Sequence, residues 1–330
     1  MGGDVKAVIC RSFDGPAALE ISDLPEPVPA AGEVVVDIAA AAINFADALM
    51  VKGGYQLRPP LPFTPGIEFS GQVSACGDGV TRWKIGDRVM GSPAFGAYAE
   101  RIAISQERLF AVPEGMSDEL ACGFTVAYGT AGFALLDRGS LTNSDILLVT
   151  GATGNVGRAA LGIARRMGAR AIAAVGSPSR GQLALDCGAS DFVDYTQEGW
   201  VEETKRLSGG RGVSVILDNV GGAAFDKGLR ATAPEARVLV VGFASGTIPR
   251  IPAEYLMIKN IVVHGIGFGA MIASASPRAK TTIDRLAAMH AAKPFAPPRP
   301  RAIGLVDLPQ AMADMLAHRA DGQAVVRPAA

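Results

Sequence analysis

Three glycines, Gly151, Gly154 and Gly157, follow an apolar run, Ile146-Leu147-Leu148-Val149. They lead into apolar residues at helical spacing: Val156, Ala160, Ile163, Ala164 and Met167. Strand, glycine turn and helix in this order suit one chemistry, the holding of a pyrophosphate by backbone. The first glycine permits the tight turn, the second lets backbone approach the phosphates, and the third lets the helix pack closely on the strand. The helix start then offers unpaired N–H groups to the anion. Gly151, Ala152, Thr153, Gly154, Asn155, Val156 and Gly157 are therefore the expected phosphate-binding residues of a dinucleotide site. The spacing is GxxGxxG rather than GxGxxG, so the strand–turn–helix context carries more of the inference than the glycines alone.

The next strand specifies which dinucleotide. An NAD site places an acid at the end of its second strand, roughly 20 residues after the glycines, to hold the ribose hydroxyls. Here Ala171–Val175 is followed by Gly176-Ser177-Pro178-Ser179-Arg180, and no acid comes before Asp186. Two hydroxyls and a guanidinium suit a 2′-phosphate, which arginine binds bidentately. The expected cofactor is NADP(H), with Gly176, Ser177, Ser179 and Arg180 at its adenosine end. The plainer alternative is a solvated helix start with Ser179 as its N-cap.

Other chemistries find little support. The 4 cysteines (Cys10, Cys76, Cys122 and Cys187) form no ribbon spacing and no disulfide framework. The 3 histidines, His264, His290 and His318, have no metal-ligand neighbour at helical spacing and read as packing or surface residues, so no metal site is expected. A net charge of −1 gives no electrostatic case for nucleic acid. No apolar run reaches the roughly 18 residues of a membrane span. The segment MGGDVKAVICRS lacks an apolar signal core, so the expected location is cytoplasmic.

The elements that must position these residues fall into two textures. Residues 5–40 alternate apolar and polar in short runs broken by Gly15-Pro16 and by prolines between 25 and 29, which predicts strands and turns. A short helix is expected over 43–54, then a proline-rich loop and more short strands to about residue 115, making a barrel-type β-rich unit. Ser117 reads as the N-cap of a helix that runs, with a break, to Leu136. From Asp145 strands at 145–151, 170–176, 191–195, 213–219, 236–243 and 260–266 alternate with helices at 155–168, 180–187, 198–208 and 223–231. That alternation predicts a doubly wound parallel sheet. A helix over 281–292, another over 308–319 and a late strand at Ala324-Val325-Val326 follow. A lone late strand needs a sheet, and the β-rich unit is its natural host. The expected organisation is α/β and two-domain: a discontinuous domain of residues 1–122 and 267–330, and a nucleotide-binding domain of residues 123–266.

In this order the chain resembles the medium-chain dehydrogenase/reductase superfamily, and its motifs are similar to those of the zinc-free quinone oxidoreductase branch. They are Asn44-Phe45-Ala46-Asp47 with Gly53-Gly54-Tyr55, Pro65-Gly66-Ile67-Glu68-Phe69-Ser70-Gly71, Gly86-Asp87-Arg88-Val89, Gly96-Ala97-Tyr98-Ala99-Glu100, Gly151–Gly157, Asp218-Asn219-Val220-Gly221-Gly222, and Gly322-Gln323-Ala324-Val325-Val326. The resemblance implies a GroES-like catalytic domain and a Rossmann domain. It implies Tyr195 beside Arg180 at the 2′-phosphate. It implies Asn44, Thr130, Asn219, Val220, Gly242, Phe243, Ala244 and Phe268 around the rest of the cofactor, and Asn44 and Tyr55 at the substrate. Tyr98 is expected to pack near the site mouth, and Asp47 to cap or pair locally. A homodimer joined along the last strand, at Val262-Val263, is also implied. The zinc alcohol dehydrogenases carry a zinc-binding Cys where Asn44 sits and a His where Ile67 sits, so both zinc ligands are missing here.

Catalytic zinc polarises a carbonyl. A quinone or conjugated enone is already electron-poor, so hydride transfer to it needs positioning and at most one hydrogen-bond donor. The expected function is NADPH-dependent reduction of a small quinone or enone, with the Tyr55 phenol as a candidate proton donor or merely a half-buried packing aromatic. Three rivals stand beside it. Enoyl-thioester or alkenal reduction would draw on Arg58, Arg278, Arg299 and Arg301. A short-chain dehydrogenase would use Tyr255 and Lys259, but that family begins with its nucleotide fold. A protein of another class would bind NADPH without turnover, as a sensor or structural protein.

Overall fold

A computed structural model describes residues 4–320 and 322–329. The chain forms two compact units, one from the described residues of Met1–Val126, Ala270–Lys280 and Arg299–Ala330, the other from Ala127–Gly269 and Thr281–Pro298.

The first unit opens with β1 (Asp4–Cys10) paired antiparallel to β2 (Leu19–Pro25). Its centre is β3 (Glu33–Ala42), followed by α1 (Phe45–Met50) and by β4 (Phe69–Cys76), β5 (Arg88–Gly91), β6 (Arg101–Ser105) and β7 (Leu109–Ala111). β3 pairs antiparallel with β4 on one side, and β4, β5 and β7 continue the sheet. β6 also pairs with β3. Strict alternation along β3 would put Val34, Val36, Ile38, Ala40 and Ala42 on one face. A register shift between Ile38 and Ala40 breaks the phase. Val34, Val36, Ile38 and Ala41 then share the main core, while Ala40 and Ala42 pack with Cys122 and Val325. One extra residue thus lets both faces of the strand be buried.

A helical stretch begins with α2 (Asp118–Ala121), capped as expected by the Ser117 hydroxyl, which accepts from the Leu120 amide at 3.4 Å. The expected break takes the form of two π-helical segments, Phe124–Tyr128 and Phe133–Arg138, on either side of α3 (Gly129–Gly132).

The second unit carries β8 (Ile146–Thr150), α4 (Asn155–Met167), β9 (Arg170–Val175), α5 (Gly181–Cys187), β10 (Asp191–Asp194), α6 (Trp200–Leu207), β11 (Val213–Asp218), α7 (Gly222–Gly228), β12 (Thr232–Val240), α8 (Ala253–Lys259) and β13 (Val262–Gly265). All six strands are parallel, in the order β10-β9-β8-β11-β12-β13. This is the doubly wound order, in which the chain reverses its direction of travel between β8 and β11. β12 starts at Thr232, before the expected residue 236, and α8 was not anticipated.

The chain then runs through α9 (Phe268–Ala273), α10 (Pro277–Ala292), β14 (Arg301–Ile303), α11 (Leu308–Leu316) and β15 (Ala324–Val326). The late strand finds the expected host: Val325 and Val326 pair antiparallel with Ala42 and Ala41 of β3. Thr281–Pro298 belongs to the second unit, whereas everything from 267 onward was expected in the first. Glycines in α3 account for this. A Cβ on Gly129 would lie 2.9 Å from Ile283 Cδ1, and one on Gly132 would lie 2.7 Å from Leu286 Cδ1, so α10 seats its apolar stripe where α3 has no side chains. Among the described residues no helix is long and apolar enough to cross a membrane.

The tightest joint of the second unit is where α4 crosses the end of β8. A Cβ on Gly157 would fall 2.4 Å from the Gly151 carbonyl oxygen and 2.7 Å from Ala152 Cα. Both obstacles are backbone, so Gly157→Ala should cost about 1–3 kcal/mol, in the range of core overpacking. A lowered urea midpoint in the purified variant checks this; an unchanged midpoint would mean that α4 can step away from the turn.

Candidate active site

In the second unit the expected cofactor residues converge on the carboxyl ends of the strands. Gly151 holds φ at 60° to turn the chain out of β8, and Gly154 is the N-cap of α4. A Cβ on Gly151 would meet Val220 Cγ2 at 3.1 Å and Asn219 Cβ at 3.4 Å, so the turn lies directly against the end of β11. The Asn219 side chain donates to the Thr150 carbonyl at 2.8 Å, and its amide donates to Thr150 Oγ1 at 3.1 Å. The Ala244 amide donates to Asn219 O, the Ser245 amide to Val220 O and the Gly242 amide to Asp218 O. Asn219, Val220, Gly242, Phe243 and Ala244 are thereby brought together beside Gly151, at the point where the sheet reverses order and open α/β sheets bind ligands.

One residue of this region carried no assigned role in the sequence. Asp218 is buried and accepts from Thr150 Oγ1 at 2.5 Å and from the Gly221 amide at 2.9 Å. Burial raises its carboxyl above the usual range, against the pull of those bonds. Asp218 ties the ends of β8 and β11 to the Gly221 turn. The available signal was an acid ending an otherwise apolar strand.

At the far end of the region, Tyr195 closes over Gly176. A Cβ on Gly176 would come 2.7 Å from the Tyr195 hydroxyl, so only glycine leaves that space. The Tyr195 amide donates to Val175 O, which fixes the start of the turn. Burial raises the Tyr195 phenol, and the Arg180 guanidinium opposes it, which puts the two side chains in one neighbourhood. Ser177 and Ser179 hydrogen-bond to each other through their hydroxyls at 2.8 Å. Ser179 does not cap the helix: it lies inside a short 3-10 turn, Pro178–Arg180, that precedes α5. Gly176, Ser177, Ser179, Arg180 and Tyr195 thus form one polar corner, with the Tyr195 hydroxyl closed over Gly176.

Thr130 and Phe268 are placed differently. Thr130 is buried within α3. The Phe268 ring is buried against Phe133, with centroids 5.7 Å apart, and over Gly129.

In the first unit, Asn44 ends β3's connection and caps α1. Its amide donates to Asp47 Oδ2 at 2.9 Å, and its side-chain Nδ2 donates to Glu68 Oε2 at 3.1 Å. Glu68 Oε1 accepts from the Val126 amide at 2.6 Å and from Thr125 Oγ1 at 3.2 Å. Asp47 caps locally, as expected. Tyr98 is not at a site mouth: it is fully buried, with its hydroxyl 3.0 Å from Ala42 O and 2.8 Å from Asp47 Oδ2. Burial pushes Glu68 up to about 8, against bonds from Val126, Asn44 and Thr125, and the nearby Asp47 pushes it further. Burial likewise pushes Asp47 up to about 7. The Tyr55 phenol is half-buried against the core and is raised by burial and then by Asp47. Glu68 was visible in the sequence only as part of a motif. Among the described residues no group of three or more His, Cys, Asp and Glu side chains is placed to hold a metal ion.

The tyrosine–lysine pair of the short-chain rival has a structural use. Lys259 Nζ donates to Thr232 O at 2.7 Å and sits 5.6 Å from the Tyr255 ring centroid, pinning α8 to β12.

Comparison with known proteins agrees with this architecture. Residues 155–288 match the zinc-binding dehydrogenase family and residues 30–114 match the alcohol dehydrogenase GroES-like domain. The chain is 41% identical over 269 residues to quinone oxidoreductase-like protein 2 of Bos taurus, covering 81% of this chain and 76% of that one. A probable oxidoreductase from Mycobacterium abscessus superposes with a TM-score of 0.88 at 32% identity, covering 99% of this chain and 100% of that one. The Escherichia coli quinone oxidoreductase complexed with NADPH superposes with a TM-score of 0.88 at 26% identity, over 98% of this chain and 100% of that one. The chain belongs to the medium-chain dehydrogenase/reductase superfamily, a family of oxidoreductases, and its relatives include quinone oxidoreductase-like proteins.

The buried acids make stability depend on pH. Both carboxyls are raised in the folded state, so the fold binds their protons more tightly than the unfolded chain does. The stability this confers is full below the unfolded values and is lost as pH rises through about 7 and about 8. These two acids should make the urea midpoint fall as pH rises from about 5 to about 8, and Glu68→Gln should flatten part of that slope. A wild-type midpoint that climbs over this window, or a slope identical in the variant, contradicts the assignment.

Proposed function

We propose that this protein transfers a hydride from NADPH to a quinone or a similar conjugated acceptor, without a zinc ion. The observation that carries the reading is the polar corner at the end of β9. Its two hydroxyls, a guanidinium and a phenol surround a glycine where an NAD site has an acid. The Gly151–Gly157 turn suits a pyrophosphate because Gly157, where a Cβ would meet the Gly151 and Ala152 backbone, lets the N-terminus of α4 close onto the end of β8. NADPH, when bound, supplies the hydride.

The chain's own residues do the rest. Gly151, Ala152, Thr153, Gly154, Asn155, Val156 and Gly157 hold the pyrophosphate. Ser177, Ser179, Arg180 and Tyr195 hold the 2′-phosphate. In the second unit Asn219, Val220, Gly242, Phe243, Ala244, Thr130 and Phe268 are the residues proposed for the nicotinamide end. In the first unit, Asn44 is the proposed cofactor contact and Tyr55 the proposed acceptor contact. Hydride arrival leaves the acceptor with a basic oxygen or carbon. Tyr55, held protonated at neutral pH by burial and by Asp47, can give its proton to that atom and regain one from water. The same protonated phenol favours a second reading, reduction of an enoyl-thioester or alkenal double bond, in which a carbon must be protonated. A homodimer along the β13 edge is part of the proposal: Met257, Ile258 and Val262 are 74%, 72% and 49% exposed there.

The test is NADPH consumption by chelator-treated protein with a small quinone and an enoyl-CoA in parallel, repeated with NADH. Fast quinone turnover with NADPH is the expected result. Turnover confined to the enoyl-CoA moves the function to alkene reduction, and Tyr55→Phe should then lower kcat about 10²–10⁴-fold. Tight NADPH binding with no turnover would make the protein a binder rather than an enzyme, and a stoichiometric, activity-linked zinc would overturn the zinc-free mechanism. Arg180→Glu should weaken NADPH about 10–100-fold, the loss of a charge-assisted contact, and leave NADH nearly unchanged. Equal losses for both nucleotides would remove Arg180 from the 2′-phosphate.

A further inference from the structure

Asp218 is 0% exposed and enters no ion pair among the described residues, so its carboxyl is buried without a cation. Burying a carboxyl in this way is costly and calls for an explanation. Asp218 also stands where two loops meet. Its side chain accepts from the Gly221 amide, and its backbone carbonyl accepts from the Val241 amide at 2.8 Å and the Gly242 amide at 3.3 Å. These are the loops of Asn219, Val220, Gly242, Phe243 and Ala244, the residues proposed for the nicotinamide end.

The hydrogen bonds fix its protonation state. Thr150 is fully buried, and its Oγ1 accepts from the Asn219 amide at 3.1 Å. The Thr150 proton is therefore committed to Asp218 Oδ1, 2.5 Å away. Oδ2 accepts from the Gly221 N–H, which can only donate. A proton on either oxygen would meet another donor or strand the Thr150 proton. The 2.5 Å separation lies in the range of O–H···O⁻ bonds. Burial raises the carboxyl, while these bonds and one from the Val220 amide pull the other way. The charge of Asp226, on α7, is negative as well and supplies no compensation. Glu68 is different: among the described residues no N–H bonds to its partner hydroxyl, Thr125 Oγ1, so that oxygen can turn to receive a proton.

We propose that Asp218 acts on the nicotinamide by charge: its buried carboxylate favours the oxidised, cationic ring over the reduced, neutral one, and so favours departure of the hydride. The inference rests on the reading of the loops at 219–221 and 241–244 as the nicotinamide end. Hydride transfer carries one proton and two electrons from the ring to the acceptor. The nucleotide is oxidised and gains one unit of positive charge; the acceptor is reduced and takes a further proton from Tyr55 or water. A fixed negative charge at a buried position stabilises that developing positive charge without rearrangement.

The test is the pair of dissociation constants for NADP⁺ and NADPH in the full-length protein, wild type and Asp218→Asn. The two nucleotides share their phosphates, so a disturbed fold weakens both, whereas loss of the charge changes their ratio. Kd(NADP⁺)/Kd(NADPH) should rise about 10-fold in Asp218→Asn, the effect of a unit charge acting through protein. A ratio that stays the same or falls overturns the proposal. If Asp218→Asn does not fold, the wild-type ratio decides: it should lie below one, and tighter binding of NADPH than of NADP⁺ overturns the proposal.

A wild type that binds neither nucleotide overturns the cofactor reading and this inference with it. Binding of both with an unshifted ratio removes the role of Asp218 and leaves the cofactor reading intact. Failure of bound NADPH to reduce a quinone would count against the hydride-transfer reading, while the ratio would still decide the claim about charge.

Discussion

The second unit depends on one close approach, that of Gly157 in α4 to the Gly151 carbonyl at the end of β8. No side chain fits between them: a Cβ on Gly157 would sit 2.4 Å from that oxygen. The constraint brings the first turn of the helix down onto the end of the strand, at the carboxyl edge of the sheet. The rest of that edge is arranged around the same point. Asp218 joins Thr150 to the Gly221 turn, and Asn219 bonds the Thr150 carbonyl from the next strand. β8 and β11 are neighbours that lead to opposite halves of the sheet, which is the place where open α/β sheets bind ligands. A nucleotide site at this place follows from strand order and two glycines before any side chain is considered.

The first unit solves a different problem. Where the zinc enzymes of the superfamily have a sulfur and an imidazole, this chain has Asn44 and Ile67. What it has is a buried acid pair: Glu68, bonded through both oxygens to amides and a hydroxyl, and Asp47, bonded through Oδ2 to the Asn44 amide and the Tyr98 hydroxyl. Buried carboxyls without cations are held as acids more than as charges. That would suit the proposed quinone or enone acceptor, for which orientation and one available proton matter more than a strong electrophile. Tyr55, raised by burial and by Asp47, belongs to the same electrostatic neighbourhood.

Much of this was legible in the chain, for identifiable reasons. β8 and α4 were readable because a continuous apolar run met a glycine turn and then a helical stripe, and the late strand 324–326 was readable because an isolated strand must find a sheet. α8 was not, because Met257 and Ile258 point to solvent and give no buried face to detect. The attachment of α10 was hidden because the gaps that receive it, at Gly129 and Gly132, lie far away in the sequence. The shift of phase in β3 was invisible because Ala39–Ala42 looks the same on either face. Among site residues, the glycines and the Ser177–Arg180 corner announced themselves by spacing. Tyr98 and Phe268 did not, since a tyrosine or phenylalanine in a motif gives no sign of whether its ring is offered or buried. Glu68 and Asp218 needed partners from elsewhere in the chain before their roles could be seen.

The central claim is that the β8–β11 edge and the polar corner after β9 together hold one NADP(H) molecule. A crystal structure of the protein with NADP⁺ tests it most directly. The account predicts the pyrophosphate against the amides at the start of α4 and the 2′-phosphate among Ser177, Ser179, Arg180 and Tyr195. Nucleotide bound elsewhere, or bound at the glycine turn with its 2′-phosphate away from Arg180, would contradict it.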